Sequence, residues 1–320
     1  MSTTLLKSLS FVILLAACTA TSRNSKQTVN TVSEDNTTQP VIASEQLPLP
    51  LTDLPQTQYG GFVLKPGFYE AEFKTYCLQP GTPDPSPRDA YFQGAVTGYR
   101  KEIVEDILIN SRKKTDLDQR NVQLLLWSVV SGSDFNKLSP AVKADAATLL
   151  TPKQIFELQG GVLGVIKTVS YSTGILSSNK ELQKLFDASA SYEKFERIAV
   201  LREPSQIKRT GVKADKWYKQ SENYYIRYMP VSYKKVRIQV YVPDSLLDAE
   251  GKLNGEYLVF DPTGQQAIPA FTNAQRLGVG GPVADIVKVI IQVSKEHGPR
   301  REPPKPAKKD KNAAGKPVLY

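Results

Sequence analysis

The sequence has almost no histidine. The only one among its 320 residues is His297, which lies in the charged, proline-rich segment SKEHGPRREPPKPAKKDKN. A serine or cysteine nucleophile of the common hydrolases needs an imidazole within hydrogen-bond reach, and a histidine in a segment that cannot fold on itself is a poor one. Catalysis by a Ser-His or Cys-His pair is therefore not expected, whereas serine–lysine hydrolases and carboxylate-based glycosidases stay open.

Cysteine is nearly as scarce, because the chain contains only Cys18 and Cys77. Two thiols and one imidazole cannot fill the usual zinc shell of four Cys and His ligands. The glycine-rich stretch GVGGP at 278–282 lacks the spacing of a P-loop or a dinucleotide fingerprint and is interpreted as a tight loop. We therefore expect neither a metal nor a cofactor.

The chain begins with MSTTLLKSLSFVILLAACTATS, in which Lys7 precedes an apolar run from Leu9 to Ala17. This order is typical of a secretory signal peptide, and the run is too short for a permanent membrane-spanning helix. Its end, Leu15-Ala16-Ala17-Cys18, resembles the lipobox of bacterial lipoproteins. The resemblance covers about the first 20 residues.

The resemblance implies that Cys18 becomes the mature amino terminus and carries fatty acyl chains such as palmitate. Each buried methylene contributes about 0.8 kcal/mol, so two or more chains would hold the protein stably to a lipid bilayer. Thr19 and Ala20 lack the aspartate that this family associates with retention in the inner membrane. The expected location is the bacterial cell envelope, at the outer membrane, facing the periplasm or the cell surface.

Composition and periodicity divide the chain into five segments. Polar and proline-rich residues predict a disordered tether after the leader, and the basic end of the chain predicts a disordered tail. The predicted segments are the signal peptide 1–17, the tether 18–57, a mainly helical domain with short amino-terminal strands 58–203, an antiparallel β-rich domain 204–294 and the basic tail 295–320.

The predicted fold class is α+β, with a helical block followed by a small antiparallel β-sheet. Helical spacing of apolar residues begins near residue 99, and Ser139-Pro140 and Thr151-Pro152 are typical helix starts. One longer helix is predicted over 179–201. Beyond Pro204 the apolar period changes to two, and helices and strands are therefore segregated along the chain rather than alternating.

The strands after Pro204 carry tyrosines beside arginines and lysines. Exposed rings can stack and the cations can pair with acids, so this sheet face is a candidate interaction surface for a glycan, an acidic polymer or a protein. The alternative is that sheet positions favour tyrosine in any case. The candidate surface residues are Tyr225, Arg227, Lys235, Arg237 and Tyr241.

The basic tail and the net charge of +9 point to anionic partners. Outside the cytoplasm these are anionic glycans, lipids and acidic proteins, so nucleic acid is not expected as a partner. Cys77 precedes the proline-rich stretch LQPGTPDPSPRDAYF, and we expect a thiol buried in the core rather than a reactive one, with the prolines forming a rigid crossing.

Two functions remain open at this stage. The first is a non-enzymatic structural or assembly component, a scaffold that docks with other envelope proteins of a secretion, motility or surface-appendage machine. The second is a lipoprotein that binds or hydrolyses cell-wall glycans or surface polysaccharides. No set of catalytic residues is predicted for either.

Overall fold

The computed structural model describes residue 40 and residues 47–98, 100–114, 116–160, 173–206, 216–286, 289–293 and 296–297. Cys18 lies outside the described residues, and so do most of the predicted tether and tail. Residues 49–57, predicted as the end of a disordered tether, instead form short strands and a 3-10 turn. His297 is expected in a disordered tail. Its backbone instead pairs with Leu258 in a short strand.

The described residues contain both helices and many strands. The helices are α1 Lys101–Arg112, α2 Gln119–Ser131, α3 Pro140–Leu149, α4 Pro152–Leu158, α5 Thr173–Asp187 and α6 Tyr192–Ala199, with 3-10 turns at Leu51–Asp53 and Phe135–Lys137. The strands are β1 Leu49–Pro50, β2 Gln56–Thr57, β3 Phe62–Val63, β4 Gly67–Cys77, β5 Thr82–Pro83, β6 Ala90–Gly94, β7 Val200–Leu201, β8 Tyr218–Lys219, β9 Tyr225–Ser232, β10 Lys235–Val242, β11 Lys252–Leu253, β12 Glu256–Phe260, β13 Gln266–Ala270, β14 Leu277–Pro282, β15 Ile290–Ile291 and β16 Glu296–His297.

Six of these strands close into a barrel. The hydrogen-bonded order is β4, β10, β9, β6, β13 and β14, and β14 pairs back onto β4. All six pairings are antiparallel. The strands β1 and β8 extend this sheet at β4 and β9, respectively. Closure pairs both edges of each barrel strand, which removes the exposed sheet edge that an open sheet would present.

The predicted fold class is therefore wrong. Instead of a helical block followed by a small sheet, the structure has strands on both sides of the helices, and β4 and β6 join four later strands in one closed barrel. Local periodicity showed only short strands before the helices, whereas β4 is 11 residues long. Pairing between strands so far apart in sequence is set by tertiary closure, which periodicity does not record.

Alternation within the strands matches the barrel wall. Val236, Ile238, Val240 and Val242 of β10 are fully buried on one face, while the intervening residues are more exposed at most positions. This is the half-buried antiparallel strand that the sequence predicts.

Helix starts and stops follow their predicted signals. Ser139 and Thr151 cap α3 and α4, each with proline at the first helical position. Gly132 ends α2 in the left-handed conformation, with φ of 71°. The predicted helix over 179–201 is instead two helices, α5 and α6, because the chain turns at Ser189, where φ is 47°.

The helices pack on the outside of the barrel. Helix α1 lies against β14 and α2 against β4. The stretch GVGGP is not a loop but most of β14, and its glycines face α1: a Cβ on Gly278 would lie 2.9 Å from Leu108 and one on Gly281 3.0 Å from the Cα of Arg112. The glycines therefore permit the helix to approach the strand closely.

A second, smaller sheet lies beside the barrel, in the order β11, β12, β3, β2 and β15, with β16 added to β12. Arg112, at the end of α1, connects it to the helices through a salt bridge of 3.2 Å to Asp261 and a hydrogen bond of 3.1 Å to the carbonyl of Gly60. None of the described helices combines the length and the apolar character needed to cross a membrane.

Candidate functional site

The structure places the five predicted surface residues on one outer face of the barrel. Arg227 on β9 lies opposite Gln239 on β10, and Tyr225 lies opposite Tyr241. The rings of Tyr225 and Tyr241 are 6.2 Å apart. Lys235 and Arg237 complete this face, so strand alternation brings the set together as expected.

Two of the three cations on this outer face, Lys235 and Arg237, are paired with acids. Lys235 donates to Glu72 on β4 at 2.9 Å, and Arg237 approaches Glu70 at 3.5 Å and Glu72 at 3.6 Å. The hydrogen bond from Lys235 holds the pKa of Glu72 below its ordinary value against the opposing effect of burial. Arg227 stacks over the ring of Trp217 at 4.6 Å. The outer face therefore carries neighbouring positive and negative side chains rather than an excess of positive charge.

Three tyrosines of the same sequence region do not reach the surface. Tyr224, Tyr228 and Tyr233 are each at most 2% exposed. At these three positions tyrosine serves packing rather than binding, because the rings fill the core, and sheet positions commonly favour tyrosine. Tyr233, however, lies beneath a second surface feature that the sequence analysis did not identify.

This feature is a cleft between α2, α6 and the β9–β10 turn, and we call it the aromatic cleft. Behind it Trp127 of α2 is completely buried and stacks on Tyr192 at 5.6 Å and on Phe195 and Tyr233 at 6.5 Å. The aromatic cleft is bounded by Arg120, Tyr192, Glu196, Tyr233 and Lys234.

A chain of hydroxyl hydrogen bonds lines the cleft. The hydroxyl groups of Tyr192 and Tyr233 are 2.9 Å apart, and Tyr233 donates to the carboxylate of Glu196 at 2.5 Å. Lys234 lies 3.1 Å from the same carboxylate, and Arg202 lies 3.7 Å from it. Glu196 is thus surrounded by donors, which fixes the orientation of α6 against the β9–β10 turn.

The pKa values in the cleft follow from burial and these hydrogen bonds. Burial raises the pKa of Tyr192 to about 12 and raises the pKa of Tyr233 well above its ordinary value, with the hydrogen bond to Glu196 adding to the latter. Burial alone would raise the pKa of Glu196, but hydrogen bonds from Tyr233 and Lys234 outweigh it and lower that pKa. Burial raises the pKa of Asp84, whose carboxylate accepts from the Tyr233 N–H at 3.0 Å and pairs with Arg202 at 3.3 Å.

Two open cavities adjoin the cleft. One of about 190 Å³ lies between the start of α2 and the β9–β10 turn, where Arg120 and Lys234 border it. The other, of about 400 Å³, follows α6 past Arg197 to Arg202. Both cations of the smaller cavity lie over the ring of Tyr192, Arg120 at 5.5 Å and Lys234 at 5.8 Å from its centroid.

Cys77 lies in the core, as expected, and is fully buried at the end of β4. Burial raises the pKa of its thiol to about 12. Gln123 accepts from the backbone N–H of Cys77 at 2.8 Å and donates to its carbonyl at 3.1 Å. The thiolate that nucleophilic chemistry requires is therefore disfavoured here.

The structure contains no cluster of three or more His, Cys, Asp or Glu side chains suited to a metal within the residues it describes. The lipidation site proposed at Cys18 lies outside those residues.

Sequence reasoning missed Arg120, Tyr192 and Glu196, which no local pattern connects. Arg120 is in the first turn of α2, and Tyr192 and Glu196 lie one turn apart on α6. The only usable signal was Ser191 followed by a short amphipathic run, which marks the start of α6. Their meeting with Lys234 results from how α2 and α6 pack at the end of the barrel.

Comparison with known proteins gave no relative from which a function could be transferred. No family model, no curated protein and no solved structure matches the chain.

Proposed function

We propose that this chain is the precursor of a lipid-anchored bacterial envelope protein, whose folded part is a non-enzymatic binding component of an envelope assembly. The anchoring half of the proposal depends on the leader and on the lipobox resemblance at Cys18. On that basis the mature protein is held to the outer membrane and faces the periplasm or the cell surface. Its partners are other envelope proteins of a secretion, motility or surface-appendage machine.

One observation carries the binding half: Arg120 and Lys234 lie over the ring of Tyr192, which stacks on the buried Trp127. The shifts agree with this, because the pKa values of Tyr192 and Tyr233 are raised and that of Glu196 is lowered, away from neutral pH in each case. General acid–base catalysis works best when the pKa lies near the working pH. Fixed charges beside stacked rings suit recognition instead, because arginine and tyrosine dominate the energetics of many protein interfaces.

The experiment that tests this proposal places a photo-cross-linking amino acid at Arg197, on the rim of the larger cavity, in cells that express the full chain. We expect incorporation of labelled palmitate, recovery in the outer-membrane fraction and a discrete cross-linked protein band. The Cys18→Ser variant should lose both the label and the band, because the anchor concentrates the protein at the membrane.

A matched probe at Lys153, whose side chain is 86% exposed on α4 away from the cleft, serves as the control and should give no such band. Equal labelling of Cys18→Ser would refute the anchor. Bands of equal strength from positions 197 and 153 would refute recognition through the cleft.

Binding of wall glycan or surface polysaccharide is a second candidate function. The open cavity of about 400 Å³, bordered by Glu193 and by arginines, could hold a sugar hydroxyl network. Retention of the full chain on isolated cell wall, with no protein cross-link from position 197, would favour this candidate over the first.

A further inference from the structure

Arg120 has the most exposed side chain among the charged groups that bound the aromatic cleft. Its side chain is 61% exposed, and its ion pair with Glu193 is 3.8 Å long. Among the residues that the structure describes, the guanidinium group has no hydrogen-bond acceptor. An arginine fork held over a tyrosine ring is arranged in advance for a planar, bidentate acceptor.

Lys234 provides a second positive charge beside the ring of Tyr192. Its ammonium group lies over the same Tyr192 ring as Arg120 and is 44% exposed at the mouth of the smaller cavity. The floor of that cavity is rigid because its two glutamines are committed to the backbone: Gln119 donates to the carbonyls of Thr75 and Lys234, and Gln123 binds Cys77. The two cations therefore project from a fixed base.

We propose that this pair of cations is a docking site for a carboxylate side chain, aspartate or glutamate, that a partner protein presents. The proposal rests on the proposed binding function and names the chemistry of its partner. A water molecule accounts for about 30 Å³ in the liquid, so a cavity of about 190 Å³ has room for a carboxylate and its methylene groups. Binding would place the carboxylate between the guanidinium group of Arg120 and the ammonium group of Lys234.

In the part of the chain that the structure describes, Asp118, Glu193 and Glu196 lie beside the site, and none of them bridges Arg120 and Lys234. Asp118 caps α2 by accepting from the backbone N–H of Arg120. Glu196 accepts from Tyr233 and pairs with Lys234 on the α6 side. Glu193 is 64% exposed and reaches Arg120 only at 3.8 Å, and so exposed a pair contributes little and is readily displaced.

The ring of Tyr192 explains why a protein carboxylate is favoured over an acidic sugar. Sugar sites commonly depend on a free aromatic face, but the ring of Tyr192 stacks on Trp127 and has both cations over it. What remains for a ligand is charge and hydrogen-bond donors rather than a stacking surface.

Trp127 provides the measurement, because it stacks directly on Tyr192. The full chain has two tryptophans, so Trp217→Phe leaves Trp127 as the only indole fluorophore. In that background, in mild detergent, the probes are an acetylated Gly-Glu-Gly amide, its Gly-Gln-Gly twin and an oligogalacturonate. We expect the glutamate peptide to bind about tenfold more tightly than the glutamine twin, as the loss of a charge-assisted hydrogen-bond pair predicts.

Variants then assign the selectivity to the site. Arg120→Ala should remove the preference for glutamate, Arg120→Lys should keep part of it, and the matched control Lys153→Ala should keep all of it. Equal binding of the two peptides, or an unchanged preference in Arg120→Ala, would overturn the proposal. Tighter binding of the oligogalacturonate per carboxylate would also overturn it, in favour of an acidic glycan.

The outcomes of the peptide experiment and the cross-linking experiment are independent of each other. A cross-linked partner without peptide selectivity would leave the binding function standing and reject the carboxylate site. Peptide selectivity without a cross-linked partner would reject the binding function as proposed, while the chemistry of the site would stand.

Discussion

At the scale of single residues, polar side chains hold the proline-rich stretch after Cys77 in place. Asp84 accepts from the backbone of Tyr233, and the completely buried Asp89 accepts from the hydroxyl of Ser205 and from Ser86. Two carboxylates thus fasten this stretch to distant parts of the chain. The stretch contains β5 and leads into the barrel strand β6, so it is part of the sheet structure, and the rigidity expected from its prolines stays a prediction.

The buried thiol gives the prediction at this scale. We expect Cys77→Ser to leave cross-linking at the cleft unchanged and to lower the free energy of unfolding at pH 7.5 by about 1–2 kcal/mol, because a hydroxyl replaces a buried sulfur. Urea unfolding followed by circular dichroism measures this. Loss of cross-linking in a well-folded variant would contradict the assignment of Cys77 as a core residue.

The burial of Cys77 also predicts how the free energy of unfolding changes with pH. The folded pKa of Cys77 is about 12, against about 8.5 for a thiol in the unfolded chain. The unfolded state therefore loses its proton first, and stability that is present below pH 8.5 is lost as the pH rises toward 12. Serine does not ionise there, so the stability gap between the wild type and Cys77→Ser should narrow between pH 7.5 and pH 10. A constant difference in stability would mean that the Cys77 thiol ionises as easily in the folded state as in the unfolded chain.

At the scale of elements, the packing of α1 on β14 depends on glycine. A Cβ on Gly278, Gly280 or Gly281 would lie 2.9 to 3.0 Å from Leu108, Tyr76 or the Cα of Arg112, which is closer than ordinary van der Waals contact. The sequence GVGGP predicts a tight loop, because glycine weakens the interior of a strand. In a strand against which a helix packs closely, however, glycine is what the contact requires.

Gly281→Ala tests this contact. A Cβ there would lie 3.0 Å from the Cα of Arg112, so the last turn of α1 would have to move by a few tenths of an ångström. We expect the variant to lose about 1–3 kcal/mol of stability in chemical denaturation, the usual cost of overpacking. Val283→Ala, at a residue 48% exposed just beyond β14, should cost less than about 0.5 kcal/mol. Equal costs would show that α1 does not press on the strand.

At the scale of the whole molecule, the barrel ties the two ends of the folded chain together. Strand β4 comes before the helices and β14 after them, and Cys77 pairs directly with Leu277. The helices in turn cover the barrel, since α1 packs on β14 and α2 on β4. Neither part has a complete core without the other.

We therefore expect a single cooperative unfolding transition. Trp127 reports on the helices and the cleft, while Trp217 packs at 5.8 Å against Phe68 on the barrel. The Trp217→Phe and Trp127→Phe proteins each keep one tryptophan. For each protein, unfolding in urea is followed by the fluorescence of that tryptophan and by circular dichroism. The two signals should give the same midpoint, as two-state behaviour requires. Midpoints that differ by more than about 0.5 M would indicate two units that unfold separately.

By itself, the sequence determined what depends on neighbours along the chain. The caps at Ser139 and Thr151, the stop at Gly132 and the alternation in β10 are confirmed, because hydrogen bonds and side-chain direction within a few residues decide them. The burial of Cys77 is confirmed as well. The lipobox at Cys18 is also a local pattern, and its role stays a prediction.

Only the tertiary structure decided the barrel, the glycine strand and the aromatic cleft. Arg120, Tyr192 and Lys234 come from two helices and a strand turn, and they meet because β4 and β14 close the ring on which those helices pack. Closure depends on contacts between residues far apart in sequence, whose energy appears only when the whole chain is compact. No periodicity along the sequence encodes them.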